Sequence, residues 1–300
     1  MRGLKSNFTL MGGIIMSTNL MDKYFKTIVC NVERNGTKDI NPRPKYEDGT
    51  PAHTYSINHA TMTFDLSKGE FPALTLRPIA FKSSIKEILW IYKDQSNDLK
   101  LLRDKYGVHW WDQWALDDDT IGQCYGASVR RHHLMDNLLD GLEKEPDGRR
   151  HIMSLWQDED FKEPHALKPC CFMTIWNIRH EEDGDYLDMM MIQRSCDFML
   201  AGSTSNQVQY ATLLCMVAHH LGITPGKYTW VGDNVQIYDR HFAQANEMLS
   251  RKLIPCECYI KINPEKKTFW DIDVDDIELI GYPLSTVKEV NPQLKFDIGI

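Results

Sequence analysis

The sequence predicts a single α/β (α+β) domain built on a large mixed β-sheet flanked by helices, and three observations carry that expectation. Helical and strand-like runs alternate irregularly rather than in strict βα order. Two of the strand-like runs are joined by a short acidic turn, which implies antiparallel neighbours inside the sheet. No linker, repeat or low-complexity tract interrupts the chain, so residues 21–300 read as one domain.

The elements follow in order. Residues 1–20 carry a short apolar stretch after Arg2 and Lys5, broken by Gly12 and Gly13 and without a small-residue cleavage site. They read as a disordered extension rather than a signal peptide, with Met16 a plausible start. Residues 35–51 form a turn-rich loop, and residues 66–70 a second turn. A helix is expected from Ser83, as N-cap, to Tyr92. Asp117, Asp118 and Asp119 mark a loop over 116–120, and a helix follows over 134–145, stopped by Pro146, Asp147 and Gly148. Strands are expected at 151–156, 171–179 and 186–193, the last two joined by a turn at 181–185. A long helix over 206–221 ends at Gly222; a further helix at 239–251 and a strand at 254–262 complete the series.

Composition narrows the function. Lys+Arg 34 against Asp+Glu 42 gives a net charge of -8, which argues against a protein that coats DNA or RNA. A few placed arginines can still hold one phosphate. The eight cysteines are scattered, with no CxxC pair, and suit reduced thiols in the cytoplasm better than a disulfide framework or a metal site. No apolar run is long enough for a transmembrane helix.

Three segments carry chemistry. Pro169-Cys170-Cys171 puts a thiol at the entrance to a strand, where a nearby arginine would favour the thiolate; a buried structural cysteine is the alternative. Gln193-Arg194-Ser195-Cys196-Asp197, followed by the helix start at Gly202–Asn206, offers donors for a phosphate, with a structural ion pair as the plainer reading of Arg194. Arg149-Arg150 is a compact cationic doublet that on its own would be a solvated surface feature.

In this order, with DGTPAHT (48–54), KEILW (86–90), WWDQW (110–114), YG (125–126), RRHIM (149–153), NQVQY (206–210) and IYDRH (237–241), the segments resemble the thymidylate synthase family over nearly the whole chain after residue 21. The resemblance implies that family's fold, a sheet-to-sheet homodimer, and reductive methylation of dUMP to dTMP with 5,10-methylenetetrahydrofolate as co-substrate and no metal. It makes Cys170 the nucleophile at pyrimidine C6, with Glu87 and Tyr125 in the proton network. Arg43, Arg194 and Ser195 would hold the phosphate with Arg149 and Arg150 donated across the dimer interface. Asn206 would face the base, Gln236 and Tyr238 the sugar, and Gln193 would be a further substrate-binding residue. Trp111, Trp114, Asp197, Gly202 and Ile300 fall on the folate side, the carboxyl terminus acting as a closing flap. Asn206 offers one acceptor and one donor, matching uracil N3–H and O4.

The pattern departs from the family at three places. Cys171 stands where the best-known synthases have His. Ser205 replaces the aromatic residue before Asn206, which lies one residue further from Asp197 than the family pattern. Gln236 occupies the place of a sugar-binding His and Asn234 that of an Asp. A polar Ser205 would admit water, so a dUMP or dCMP hydroxymethylase, in which water replaces hydride, stays open, as does a homologue that binds nucleotide or RNA without turnover.

Overall fold

The computed structural model describes residues 19–300. The extension expected over residues 1–20 therefore lies mostly outside the described residues, and its last two positions belong to the fold. Asn19 caps helix α1 (Leu20–Asn35), its side chain accepting from the Asp22 N–H at 3.3 Å. The hairpin β1 (Thr37–Lys38) and β2 (Thr54–Ile57) follows, with a long loop between its arms.

A five-stranded sheet forms the centre of the domain, in the order β3 (Ala60–Asp65), β8 (Thr224–Gly232), β6 (Gly184–Gln193), β5 (Cys171–Glu181), β4 (Ile152–Ser154). Only β6 and β8 run parallel. The expected hairpin is present, with Glu182 and Asp183 alone in the turn and both strands two residues longer than the sequence suggested. β4 keeps only the middle of the run expected at 151–156. A smaller sheet places β1 and β2 beside β9 (Val235–Tyr238) and β7 (Cys196–Asp197), and β10 (Tyr259–Ile262) pairs with β11 (Ile277–Ile280).

The inner face of the large sheet buries Met62, Phe64, Trp176, Met189, Met191, Tyr228 and Trp230. Against it lies α6 (Ser205–Leu221), apolar on nearly every side, as a helix enclosed by other elements must be. Gly222 ends it in the left-handed conformation at φ 68°, as its position in the sequence implied. Helix α2 (Phe81–Tyr92) packs on α6. It starts at Phe81, before the expected cap: Ala80 is the N-cap and Ser84, not Ser83, turns its hydroxyl onto the Ala80 carbonyl at 2.9 Å.

Around this frame stand α3 (Leu99–Tyr106), α4 (Gly126–Arg131), α5 (Leu134–Lys144), α7 (Phe242–Ser250) and α8 (Leu284–Val290). Residues 239–241, expected as the start of α7, form a separate 3-10 turn; of 254–258, expected as strand, 254–257 belong to no strand and Cys258 makes only an isolated bridge to Glu70. All eight cysteines are unpaired. Among the described residues no helix is long and apolar enough to cross a membrane.

Candidate active site

Cys170 closes the loop ahead of β5, and a register shift between Cys171 and Met173 marks the irregular start of that strand. A small cavity of about 70 Å³ opens beside it. Its wall comprises Glu87, Ile88 and Ile91 from α2, Trp111, Tyr125, Cys170, Cys171, and Asn206, Gln209 and Tyr210 from α6. Five residues that the sequence places in the chemistry (Cys170, Glu87, Tyr125, Trp111 and Asn206) thus converge from five chain segments on one space.

Glu87 is held at both oxygens. Trp111 Nε1 donates to Oε1 at 2.6 Å and Gln209 Nε2 to Oε2 at 2.6 Å. Burial pushes its carboxyl above the ordinary range, while the donors of Trp111, Gln209 and Trp110 pull it back. Trp111 is in turn wedged edge-on against Tyr125 (ring centroids 5.2 Å) and Trp114 (5.8 Å). Trp110 remains 38% exposed beside them, so a partly open indole wall adjoins the cavity and suits a flat heteroaromatic ring.

Tyr125 is set by strain. Its φ of 49° and ψ of -114° lie where non-glycine residues are rarely found. Gly126 explains why: a Cβ there would stand 2.1 Å from the Ser96 carbonyl oxygen, so the chain passes too close for any side chain. The YG pair is thus one device. The resulting pose lets Tyr125 Oη accept the Cys170 N–H at 3.3 Å.

Arg194 wraps the nucleophile loop. Its Nε donates to the Pro169 carbonyl at 2.9 Å and its Nη2 to the Lys168 carbonyl at 2.7 Å, with Cys170 Sγ 3.7 Å from Nη2. The expectation of a thiolate-favouring arginine is met in position but not in net effect. Burial raises the Cys170 thiol above its ordinary value, and Arg194 only lowers it part of the way back. Neither Arg194 nor the other three arginines expected near the phosphate line this cavity. Arg149 and Arg150 lie exposed between α5 and β4, Arg150 3.6 Å from Glu145, and Arg43 is exposed in the β1–β2 loop.

The family's spacing discrepancy before Asn206 has a local cause. Asp197 caps a wide π turn over Phe198–Gly202, its Oδ1 accepting from the Met199 and Leu200 N–H groups at 3.1 Å each. The Ser203 N–H donates to the Phe198 carbonyl, five residues back, at 3.2 Å. A π turn absorbs one extra residue, so Asn206 still faces the cavity. Gly202 is required there by packing, since a Cβ would fall 2.1 Å from Cys196 Sγ and 3.0 Å from the Asp197 carbonyl. Burial holds the Asp197 carboxyl above its usual range, with His241, the two backbone donors and Arg77 opposing.

On the far side, Gln236 is half-buried on β9, opposite Ser56 on β2 and Asp197 on β7. Tyr238 lies against Tyr46, ring centroids 6.3 Å apart, and burial pushes its hydroxyl up to about 12. The carboxyl terminus reaches this region. Ile300 exchanges two backbone hydrogen bonds with Lys45, at 2.8 and 2.9 Å, and a Cβ on Gly299 would meet the Tyr238 ring at 2.9 Å. Neither Ile300, Gln236, Tyr238 nor Ser195 lines the small cavity.

The family profile described as Thymidylate synthase matches residues 23–294. The chain belongs to the thymidylate synthase family. The thymidylate synthase of Lactococcus lactis subsp. lactis (strain IL1403) is 46% identical over 281 residues, covering 93% of this chain and 99% of the relative. That of Streptococcus sanguinis (strain SK36) is 44% identical over 283 residues, covering 94% and 99%. The solved structure of thermostable thymidylate synthase A from Bacillus subtilis superposes with a TM-score of 0.84 at 33% identity, covering 93% of this chain and 99% of that one.

Sequence reasoning overlooked residues that the thymidylate synthase fold brings to this site. Gln209 stands inside the quoted NQVQY motif without a role, although three residues after Asn206 on a helix it must share that residue's face. Tyr210 Oη donates to the Cys171 carbonyl at 3.1 Å and pairs with Tyr92 Oη at 2.9 Å. Trp230 came from a strand that the sequence did not mark.

Proposed function

We propose that this chain is a thymidylate synthase, a methyltransferase that reductively methylates dUMP to dTMP with 5,10-methylenetetrahydrofolate. The observation that carries the reading is the convergence of Cys170, Glu87, Tyr125 and Asn206 on one cavity, in a chain whose relatives bear that name along almost their full length. Those names support the methyl product over the hydroxymethyl one.

Cys170 Sγ adds to pyrimidine C6, which makes C5 electron-rich, and leaves again by elimination at the end. When bound, the folate supplies the one-carbon unit and the hydride. Glu87 and Tyr125 hold and move protons at the base, and Asn206, steadied by Gln193, reads uracil. Arg43, Arg194, Ser195, and Arg149 and Arg150 of the partner subunit hold the phosphate, with Gln236 and Tyr238 on the sugar. Trp111, Trp114, Asp197 and Gly202 shape the folate side, and the tail ending at Ile300 closes over it.

The homodimer is supported by the outer face of the large sheet, where Ile152, Met173, Ile175, Met190, Ile192 and Val231 lie only part-buried or exposed in neighbouring registers. A contiguous apolar face of this kind favours a partner. The exposure of Arg149 and Arg150 accords with donation to a second subunit, and eight unpaired thiols accord with a cytoplasmic enzyme.

The test is incubation with dUMP and methylenetetrahydrofolate, following dihydrofolate by absorbance and the nucleotide by mass. Dihydrofolate and dTMP should appear in equal amounts. Hydroxymethyl-dUMP without dihydrofolate, or product from dCMP alone, would overturn the assignment.

A further inference from the structure

A continuous run of side-chain hydrogen bonds crosses the site from the sheet to α2. Trp230 Nε1 donates to Gln193 Oε1 at 2.9 Å, and Gln193 Nε2 donates to Asn206 Oδ1 at 3.1 Å and to the Ser195 carbonyl at 3.2 Å. Asn206 Nδ2 donates to Gln209 Oε1 at 3.2 Å, and Gln209 Nε2 donates to Glu87 Oε2 at 2.6 Å. Both ends impose a direction. An indole N–H only donates, and an ionised carboxylate only accepts, so all three amides between them are locked in one flip state.

The middle of the run has a consequence for base selection. An amide oxygen has two lone pairs and an amide nitrogen two hydrogens. Gln193 takes one lone pair of Asn206, and Gln209 takes one hydrogen. What remains is one acceptor and one donor, the complement of uracil N3–H and O4. Cytosine needs the reverse order, and reversing Asn206 would set amine against amine at Gln193 and oxygen against oxygen at Gln209. Gln193 and Gln209 are each at most 4% exposed, so water offers no easy substitute.

We infer that Gln209 is a positioning residue that ties the Glu87 carboxylate to the Asn206 amide, so that base selection and the ionisation of Glu87 depend on one side chain. The inference rests on the dUMP reading proposed above. The second oxygen of Glu87 is thereby held from α6. The other groups around Glu87 are Trp110 and Trp111, the thiols of Cys170 and Cys171 on β5 and its approach, Tyr125, Tyr210, and Arg194 behind Cys170.

Two variants separate the two halves of the role. Gln209→Met keeps the volume and loses both bonds. Gln209→Glu keeps an acceptor for Asn206 but sets a second carboxyl against Glu87, so that the two share one proton. Loss of the amide donor in the first, and a like charge beside Glu87 in the second, both disfavour the carboxylate, so the acidic limb of kcat/KM for dUMP should move to higher pH in both. Preference for dUMP over dCMP should fall at least about tenfold in Gln209→Met and hold within about threefold in Gln209→Glu. The wild type assayed alongside tests the dUMP reading itself, so failure there is distinct. An unmoved acidic limb in Gln209→Glu overturns the inference even if Gln209→Met does not fold. So does a folded Gln209→Met with the wild-type base preference.

Discussion

Cys170 illustrates how burial can oppose what residue types suggest. A thiol at a strand entrance beside an arginine reads as activated, yet burial outweighs the single guanidinium that reaches it. Removing Arg194 should raise the thiol further: in Arg194→Leu, the pH midpoint for alkylation of Cys170 by iodoacetamide should move upward, and a midpoint unchanged or lower would show that Arg194 does not act on the sulfur. Cys170→Ala should abolish dTMP formation while dUMP binding stays measurable by calorimetry; surviving turnover would move the nucleophile elsewhere. Asn206 was legible as a candidate base-reading amide because that chemistry is carried by one side chain, and the fold places it on the cavity wall. Its orientation was not, because that is imposed by Gln193 and Gln209, which meet it only in the fold.

At the scale of single elements, α1 shows the cost of burying a carboxyl. Asp22 lies in its first turn, fully buried, where its Oδ1 accepts the Thr75 N–H at 2.8 Å and the Thr75 hydroxyl bonds the other oxygen. Burial raises its pKa to about 6 against these bonds. Between the ordinary carboxylate value and about 6 the folded chain therefore holds a proton that the unfolded chain has released. Stability from this group is fully present below that window and is lost as pH rises through it, by about 3 kcal/mol. Asp22→Asn should flatten the fall in melting temperature between acidic and neutral pH; an equal fall in the variant would remove Asp22 as its source. The π turn before α6 gives a second case. Gly202→Ala should destabilise by about 1–3 kcal/mol, read as a denaturation midpoint, because the methyl meets Cys196 Sγ and the Asp197 carbonyl. Long periodic elements such as α6 and the β5–β6 hairpin were legible in the sequence. β8 and β9 were not, since Gly226 and Gly232 interrupt the strand pattern and the residues gain strand character from pairing with distant β3, β6 and β2.

For the molecule as a whole, the proposed roles of the tail and of a second subunit in completing the site are each open to test. The last residue is pinned to Lys45 by two backbone bonds, and His241 Nε2 donates to the Asp297 carbonyl at 2.7 Å. Deleting Ile300 should lower kcat by tenfold or more and leave dUMP affinity within about threefold, since sealing the site matters to the chemical steps rather than to nucleotide capture. Equal losses in both would make the tail merely structural. If Arg149 and Arg150 serve the partner's phosphate, mixing inactive Cys170→Ala subunits with inactive Arg149→Ala/Arg150→Ala subunits should restore activity in hybrid dimers. No recovery after subunit exchange would place those arginines outside the shared site.

The sequence by itself determined the family and nominated the nucleophile, the acid network and the base-reading amide, because each depends on residue type and local order along the chain. Only the tertiary structure decided how Glu87 is gripped, why the extra residue before Asn206 is harmless, and which partner fixes each amide. Those properties reside in contacts between segments far apart in sequence, where a hydrogen bond's direction, a buried thiol's energy and a glycine's close approach are set by what lies across the gap rather than along the chain.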